Sequence, residues 1–370
     1  MDKNIIYFKD FLQFSFKKKK SFVVNDGLWN ELYSYCKKQA LIGISLFAIK
    51  RLPDKQRPPK GIMINWFVLA EYIKNINIIV NNRCVEIQKR LAEAGFDSCI
   101  LKGQGIGALY GELSLYRQFG DIDIWVAPQK GKVGDWKAVM DYVNSITPNR
   151  EFDGKHTHIN VFQKTPVEVH WWPSITSNFI INRRLKRFYQ EQFSIQCCHE
   201  IKLTDGQKIT APNAFFNSIY ILLHIFDHLV YDGVSLRQIM DFYFVCIQDD
   251  VQNRKKEILY YYQRFGILSF SSSVMWVLME VLGMDEKYLL TKPNEEGGYE
   301  LLIDIIKKDN LKQFLGDDNN IYKSTLCRLY YRVKRKVRLF KHNPIGVMCY
   351  PYYKIRLLCW KQHVIKMYNL

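Results

Sequence analysis

The hydrophobic pattern of this 370-residue chain changes its period twice, and this change restricts the folds that it can adopt. Apolar residues recur at helical spacing over residues 62–94, up to a stop at Gly95, and again from Pro212 onward. Between these regions, residues 98–101 and 121–126 are short apolar segments of the kind found in strands. The pattern therefore predicts an α+β fold, in which a small mixed β-sheet core with helices is flanked by N-terminal and C-terminal helical regions.

The same pattern divides the chain into four predicted segments. They are an N-terminal helical region at 1–95, an α+β core at 96–205, a helical domain at 206–315 and a basic amphipathic helical tail at 316–370. Within the core, two strand-like segments flank residues 163–166, which predicts a β-hairpin. Four serines and Glu280 interrupt the apolar run 267–284, so we expect a core helix there rather than a membrane span.

The net charge of +17 is concentrated at the C-terminal end. Residues 319–370 contain twelve Lys or Arg and no Asp or Glu, and the bases in 328–338 alternate with apolar residues at helical spacing. Such a helix either binds an anionic membrane surface or an acidic partner, or packs its apolar side on the preceding domain. No signal-peptide pattern is visible, so we expect a cytoplasmic protein, with peripheral binding at the inner face of the membrane under the first alternative.

Two aspartates in the strand-like segment 121–126 are the strongest chemical signal. Side chains alternate between the faces of a strand, so Asp121 and Asp123 point the same way. Two carboxylates so close repel each other unless they share a cation, and Mg²⁺ (or Mn²⁺) suits such hard oxygen ligands. Glu168 lies in a later strand-like segment, and an adjacent strand would bring it beside the pair. Three converging acids can hold two metal ions.

A glycine-rich segment upstream is suited to binding phosphate. Residues 98–101 run directly into Lys102, Gly103 and Gly105, which open a predicted helix. Free backbone N–H groups and a lysine at such a turn can hold a phosphate group. Arg117 lies just before the aspartates, where its guanidinium could bind a pair of phosphate oxygens.

These segments occur in the order of a known family's motifs, namely Leu101-Lys-Gly, Leu109-Tyr110, Arg117, Gly120-Asp-Ile-Asp-Ile and Val167-Glu-Val-His-Trp171. Over roughly residues 95–250 the chain resembles an uncharacterised bacterial nucleotidyltransferase family of the polymerase-β-like nucleotidyltransferase superfamily. The resemblance implies that two magnesium ions bind to Asp121, Asp123 and Glu168, and that a nucleoside monophosphate is transferred from an NTP. The implied nucleotide- or phosphate-binding set is Lys102, Gly103, Gly105, Arg117 and Gly120.

Several polar residues near these motifs are candidates for lining the substrate site. His158 and His170 lie in the two arms of the predicted hairpin, and we expect a substrate-lining or structural role for them rather than a zinc site. Arg237 either forms an intrahelical ion pair with Asp241 or helps to hold a helical lid near the nucleotide. His224 and the histidine four residues later are expected to face the core and make structural hydrogen bonds.

Three functions are compatible with these residues. The first is metal-dependent transfer of a nucleoside monophosphate, most simply AMP, from NTP to a hydroxyl or phosphate on a small molecule, glycan precursor or protein, releasing pyrophosphate. The second is a DxD glycosyltransferase that uses a nucleotide sugar, which the helical first 95 residues and the third acid argue against. The third is a non-catalytic adaptor that binds a membrane or partner through its basic tail. A nucleic-acid partner is less expected, because the positive charge lies far from the paired aspartates in sequence.

Overall fold

The computed structural model describes residues 3–16, 18–147, 151–231, 233–315 and 344–370. The helices of the N-terminal part and the core are α1 (Lys3–Ser15), α2 (Trp29–Lys38), α3 (Ile42–Arg51), α4 (Lys60–Glu93), α5 (Gly103–Gly107), α6 (Trp136–Ile146) and α7 (Phe179–Cys197). Those that follow are α8 (Ala214–Tyr231), α9 (Leu236–Cys246), α10 (Asp249–Asn253), α11 (Lys255–Arg264), α12 (Leu268–Glu280), α13 (Glu295–Leu315) and α14 (Pro344–Tyr368). The strands are β1 (Phe96–Leu101), β2 (Ile122–Pro128), β3 (His156–Ile159), β4 (Val167–His170), β5 (Glu200–Lys202) and β6 (Lys208–Thr210).

Four of the strands form one mixed sheet in the order β1-β2-β4-β3. β1 pairs antiparallel with β2, β2 pairs parallel with β4, and β4 and β3 form an antiparallel hairpin. The turn of the hairpin contains Lys164, which has a positive φ of 60°. The predicted α+β class, with its small mixed sheet and flanking helices, is therefore confirmed, while the division into four segments stays a prediction.

The sheet is anchored by aromatic packing around Trp125 of β2. The ring of Trp125, which is fully buried, lies 4.9 Å from the ring of Phe193 and 5.6 Å from that of Phe216. These partners belong to α7 and α8, so both helices pack on the same strand. Burial of such large rings contributes several kcal/mol and fixes the position of β2 in the protein.

The long helix α4 leads into β1 and also holds the segment before β2 by hydrogen bonds. It ends before Gly95, whose φ of 83° is the left-handed conformation that commonly terminates helices. The side chain of Asn77 donates hydrogen bonds to the carbonyl oxygens of Leu115 (2.7 Å) and Arg117 (2.8 Å). α4 therefore holds the segment that leads into β2.

A buried ion pair connects the segment before β2 to α9. The guanidinium of Arg117 donates to both carboxylate oxygens of Asp241 on α9, at 2.6 and 2.7 Å, and the Tyr110 hydroxyl donates to Asp241 Oδ1 at 2.6 Å. Burial disfavours the charge on Arg117, but the carboxylate of Asp241 outweighs it and raises the arginine pKa. Asp241 thus pairs with Arg117 across two elements, rather than with Arg237 within its own helix.

The C-terminal helix α14 packs on the core. Its Trp360 ring lies 5.3 Å from the ring of Trp136 and 5.7 Å from that of Phe152, and Val364 is fully buried. One side of this part of the tail therefore packs on the core. The predicted basic helix at 328–338 lies outside the described residues.

The apolar run 267–284 forms α12, whose side chains are largely buried, as expected of a core helix. Among the helices that the structure describes, none has the length and apolar character needed to cross a membrane.

Removing one member of the buried ion pair tests its structural role. Asp241→Asn leaves the Arg117 charge buried without its counter-ion, so we expect the free energy of unfolding to fall by about 3–5 kcal/mol. Urea denaturation measures this loss. Asp54→Asn is the control, because the exposed Asp54–Arg57 pair should contribute less than about 1 kcal/mol. A loss for Asp241→Asn as small as that of the control would contradict the prediction.

Candidate active site

The parallel pairing of β2 with β4 brings two of the predicted acids side by side. Asp123 and Glu168 are direct partners in this register, and Glu168 is in turn the partner of His158 on β3. Ile122 and Ile124 point to the opposite face of β2 and are buried in the core. Asp123, Glu168 and His158 therefore lie in a row across the adjacent strands β2, β4 and β3.

Asp123 is buried and is held by two cationic groups. Its Oδ1 lies 2.8 Å from the Nζ of Lys102 and 3.0 Å from the Nε2 of His170. Burial alone would raise the pKa of Asp123, but Lys102 and His170 outweigh it and hold that pKa well below its usual range. Lys102, predicted to bind phosphate, therefore contacts an aspartate in this structure.

His170 lies between the two acids of β2 and β4. Its Nε2 is 3.2 Å from a carboxylate oxygen of Glu168, in addition to its contact with Asp123. Burial opposes protonation of this imidazole, but the two carboxylates together raise its pKa. Burial likewise opposes ionisation of Glu168, yet the hydrogen bond from His170 helps to lower the pKa of Glu168 to about 2.

Asp121 is exposed and lies immediately before β2. Partial desolvation, followed by the charges of Asp123 and Glu168, raises the pKa of Asp121. The three acids thus interact electrostatically and repel one another, which is the environment that a bound divalent cation relieves.

Two groups of side chains have the donor spacing of a metal site. The first contains Asp123, Glu168 and His170, and the second contains His156, His158 and Glu168; in each group the ligand atoms lie within 4.8 Å of one another. The carboxylates suit Mg²⁺ or Mn²⁺, whereas the imidazoles also suit Zn²⁺. The buried Nδ1 of His156 has no hydrogen-bond partner in the described part of the chain, so this nitrogen is available to a ligand. The residues therefore fit a divalent cation.

Asp121 and Glu168 line a cleft of about 460 Å³, whereas Asp123 is buried behind it. Its lining combines the sheet face with one face of α8 and one face of α14: Lys102, Asp121, Asp153, Lys155, His156, Glu168, Ile175, Ser177, His224, Asp227, His228, Tyr350, Tyr353, Lys354, Leu357 and Lys361. The cleft contains cations and acids together with a few apolar and aromatic side chains, as a site for a charged organic molecule requires.

The contribution of α8 to the cleft was missed in the sequence analysis. His224, Asp227 and His228 line it, and the two imidazole rings lie 4.2 Å apart. Burial, reinforced by Lys102 and His228, holds the pKa of His224 well below its usual range. The spacing of three and four residues between these polar side chains was the available signal, because it places them on one helix face.

The glycines of the predicted phosphate loop differ in the structural reason for which a glycine stands there. Gly103 has a positive φ of 39° and follows Lys102, whose φ is also positive at 50°. A side chain at Gly105 would meet the carbonyl oxygen of Ile100 at 2.5 Å, so this glycine permits close packing of α5 on β1. A Cβ at Gly120 would lie 3.9 Å from the Nη1 of Arg237.

The two predicted arginines do not line the cleft. Arg117 is buried in its ion pair with Asp241, and the Nη1 of Arg237 donates to the carbonyl oxygen of Gln118 at 2.8 Å. Both guanidiniums therefore support the segment before β2 in this structure.

Comparison with known proteins agrees with this geometry. A family model described as an uncharacterised nucleotidyltransferase matches residues 25–283, which is well over half of the chain. No curated protein and no solved structure matches the chain. The matched region contains the whole four-stranded sheet and ends after α12.

Asp121→Asn tests the metal site through two opposite changes in stability. Without divalent ions the variant should unfold at a slightly higher temperature than the wild type, because it lacks one of three mutually repelling charges. Mn²⁺ at a hundred times its Kd should stabilise the wild type by about 2.7 kcal/mol, and most of this gain should be lost in the variant. Thermal unfolding in EDTA and in Mn²⁺ measures both changes.

Asp97→Asn is the matched control, since Asp97 is an exposed acid at the far end of β1. It should leave the response to Mn²⁺ unchanged. An equal response to Mn²⁺ in Asp121→Asn and the wild type would show that the three acids do not bind the ion.

Proposed function

This chain belongs to a family of uncharacterised nucleotidyltransferases, and from that premise we propose that it transfers a nucleoside monophosphate, most simply AMP, from NTP to an acceptor. The acceptor is a hydroxyl or phosphate on a small molecule, glycan precursor or protein, and pyrophosphate is released. The observation that carries the proposal is the direct pairing of Asp123 with Glu168, with Asp121 immediately before β2. This is the arrangement of three acids that holds divalent ions around a nucleotide.

Asp121, Asp123 and Glu168 would hold Mg²⁺ or Mn²⁺. When bound, the ions supply Lewis acidity, which offsets phosphate charge and lowers the pKa of the acceptor group. In the transfer, an acceptor oxygen forms a bond to the α-phosphorus, the bond from that phosphorus to pyrophosphate breaks, and the acceptor proton passes to water.

In this proposal Lys102 contacts Asp123 in the free protein and a phosphate group when the nucleotide binds. Its ammonium contacts Asp123 at 2.8 Å and the residue also lines the cleft. Lys102 can therefore exchange the carboxylate for a phosphate group of the nucleotide and offset the charge that develops on the leaving pyrophosphate. The backbone of Gly103 and Gly105, in the first turn of α5, stays a candidate for phosphate contact.

We also propose that the protein is cytoplasmic and associates with the inner face of the membrane through its C-terminal tail. On α14, the side of the helix away from the core exposes Ile345, Met348, Tyr352, Ile355 and Leu358. These apolar side chains lie in a segment with twelve basic residues and no acidic ones, which suits an anionic lipid surface.

Two radiolabelled nucleotides test the transferase activity. With Mg²⁺ and a cell extract as the source of acceptor, label should move from [α-³²P]NTP to a product, and no label should move from [γ-³²P]NTP. Asp123→Asn should lower the rate at least a hundredfold, because a metal-binding carboxylate is lost, whereas Asp97→Asn should retain it. Separation of the products by chromatography gives the readout for each of the four common NTPs.

Other outcomes would replace this function with one of the alternatives. Transfer of a labelled sugar from a nucleotide sugar, without transfer from NTP, would indicate the glycosyltransferase. No transfer and no stabilisation by NTP or nucleotide sugar would favour the non-catalytic adaptor.

A further inference from the structure

One wall of the cleft is formed by α14, which lies outside the region that the family model matches. That match ends at residue 283, whereas Tyr350, Tyr353, Lys354, Leu357 and Lys361 of α14 all line the cleft. Their spacing of three, four, seven and eleven residues places them on one helix face. One face of α14 is therefore turned toward Asp121 and Glu168.

Close packing positions this face. An added Cβ at Gly154 would lie 3.4 Å from Leu357 and 3.7 Å from the Tyr353 hydroxyl, so the loop before β3 lies against α14 at ordinary contact distance. Further along the helix, Trp360 packs on the core and the Tyr368 hydroxyl donates to Asp141 at 2.6 Å. The helix is thus attached on both sides of Lys361.

The charges on the two walls differ. The sheet side carries Asp121 and Glu168 together with Lys102 and Lys155, whereas α14 contributes two lysines and no acid. Lys354 lies over the Tyr350 ring at 5.5 Å and Lys361 over the Phe152 ring at 5.8 Å. Within the described ranges, neither ammonium has a carboxylate within 4.0 Å, so both charges are available to an anionic ligand.

We propose that Lys354 and Lys361 bind the phosphate groups of the nucleoside triphosphate, so that α14 completes the nucleotide site. This inference rests on the proposed function. A triphosphate carries up to four negative charges, and Lys102 and the divalent ions can offset these from the sheet side only. Two lysines on the facing wall supply positive charge from the other side.

Binding of α,β-methylene-ATP with Mg²⁺ tests this role, because this analogue cannot be cleaved between its α and β phosphates. In Lys354→Gln/Lys361→Gln the Kd should rise at least tenfold, as expected for loss of two charge-assisted contacts. The Kd of AMP should rise less than threefold. Isothermal titration calorimetry measures both, and the thermal midpoint and circular dichroism of each variant verify that it folds.

Arg356→Gln/Lys366→Gln is the matched control. It removes two positive charges from the same helix at exposed positions that do not line the cleft. Its Kd for α,β-methylene-ATP should change less than threefold. An equal loss in the control, or an equal loss for AMP and the triphosphate, would overturn the proposed phosphate contacts.

The same titrations separate this inference from the proposed function. If the wild type binds the analogue, Asp121→Asn does not, and the double lysine variant binds like the wild type, the role of α14 is wrong and the nucleotidyltransferase stands. If the wild type binds none of the nucleotides, both fail.

Discussion

Parallel pairing of β2 with β4 is the constraint on which the site depends. It brings Asp123 beside Glu168 on a partly buried sheet face, where like charges repel and burial opposes ionisation. In the described structure Lys102 and His170 compensate this cost by contacting Asp123.

The surrounding fold holds that pairing in place. Trp125 fixes β2 by packing on α7 and α8, and α4 together with the buried Arg117–Asp241 pair fixes the segment that leads into it. Reacting groups must be positioned to within a fraction of an ångström, which requires supporting residues that are themselves rigid. Arg117 is thus used in support of the site, and the positive charge that faces the cleft comes from lysines on other elements.

The sequence analysis succeeded where local periodicity carries the information. The strand with Asp123, the hairpin that contains Glu168, and the long helix that ends before Gly95 all have patterns that depend on neighbouring residues only. It was least informative where a side chain's partner is distant in the chain. Spacing could not reveal that Arg117 pairs with a residue 124 positions away, or that His224 faces the cleft.

By itself, the sequence determined the α+β class, the helical flanks and which acids share a strand face, because alternation and helical spacing follow directly from backbone geometry. The tertiary structure decided that β4 lies beside β2 in parallel, that Lys102 contacts Asp123, and that α14 forms a wall of the cleft. These contacts join residues up to hundreds of positions apart. Their formation depends on how whole elements pack, and no local pattern specifies that packing.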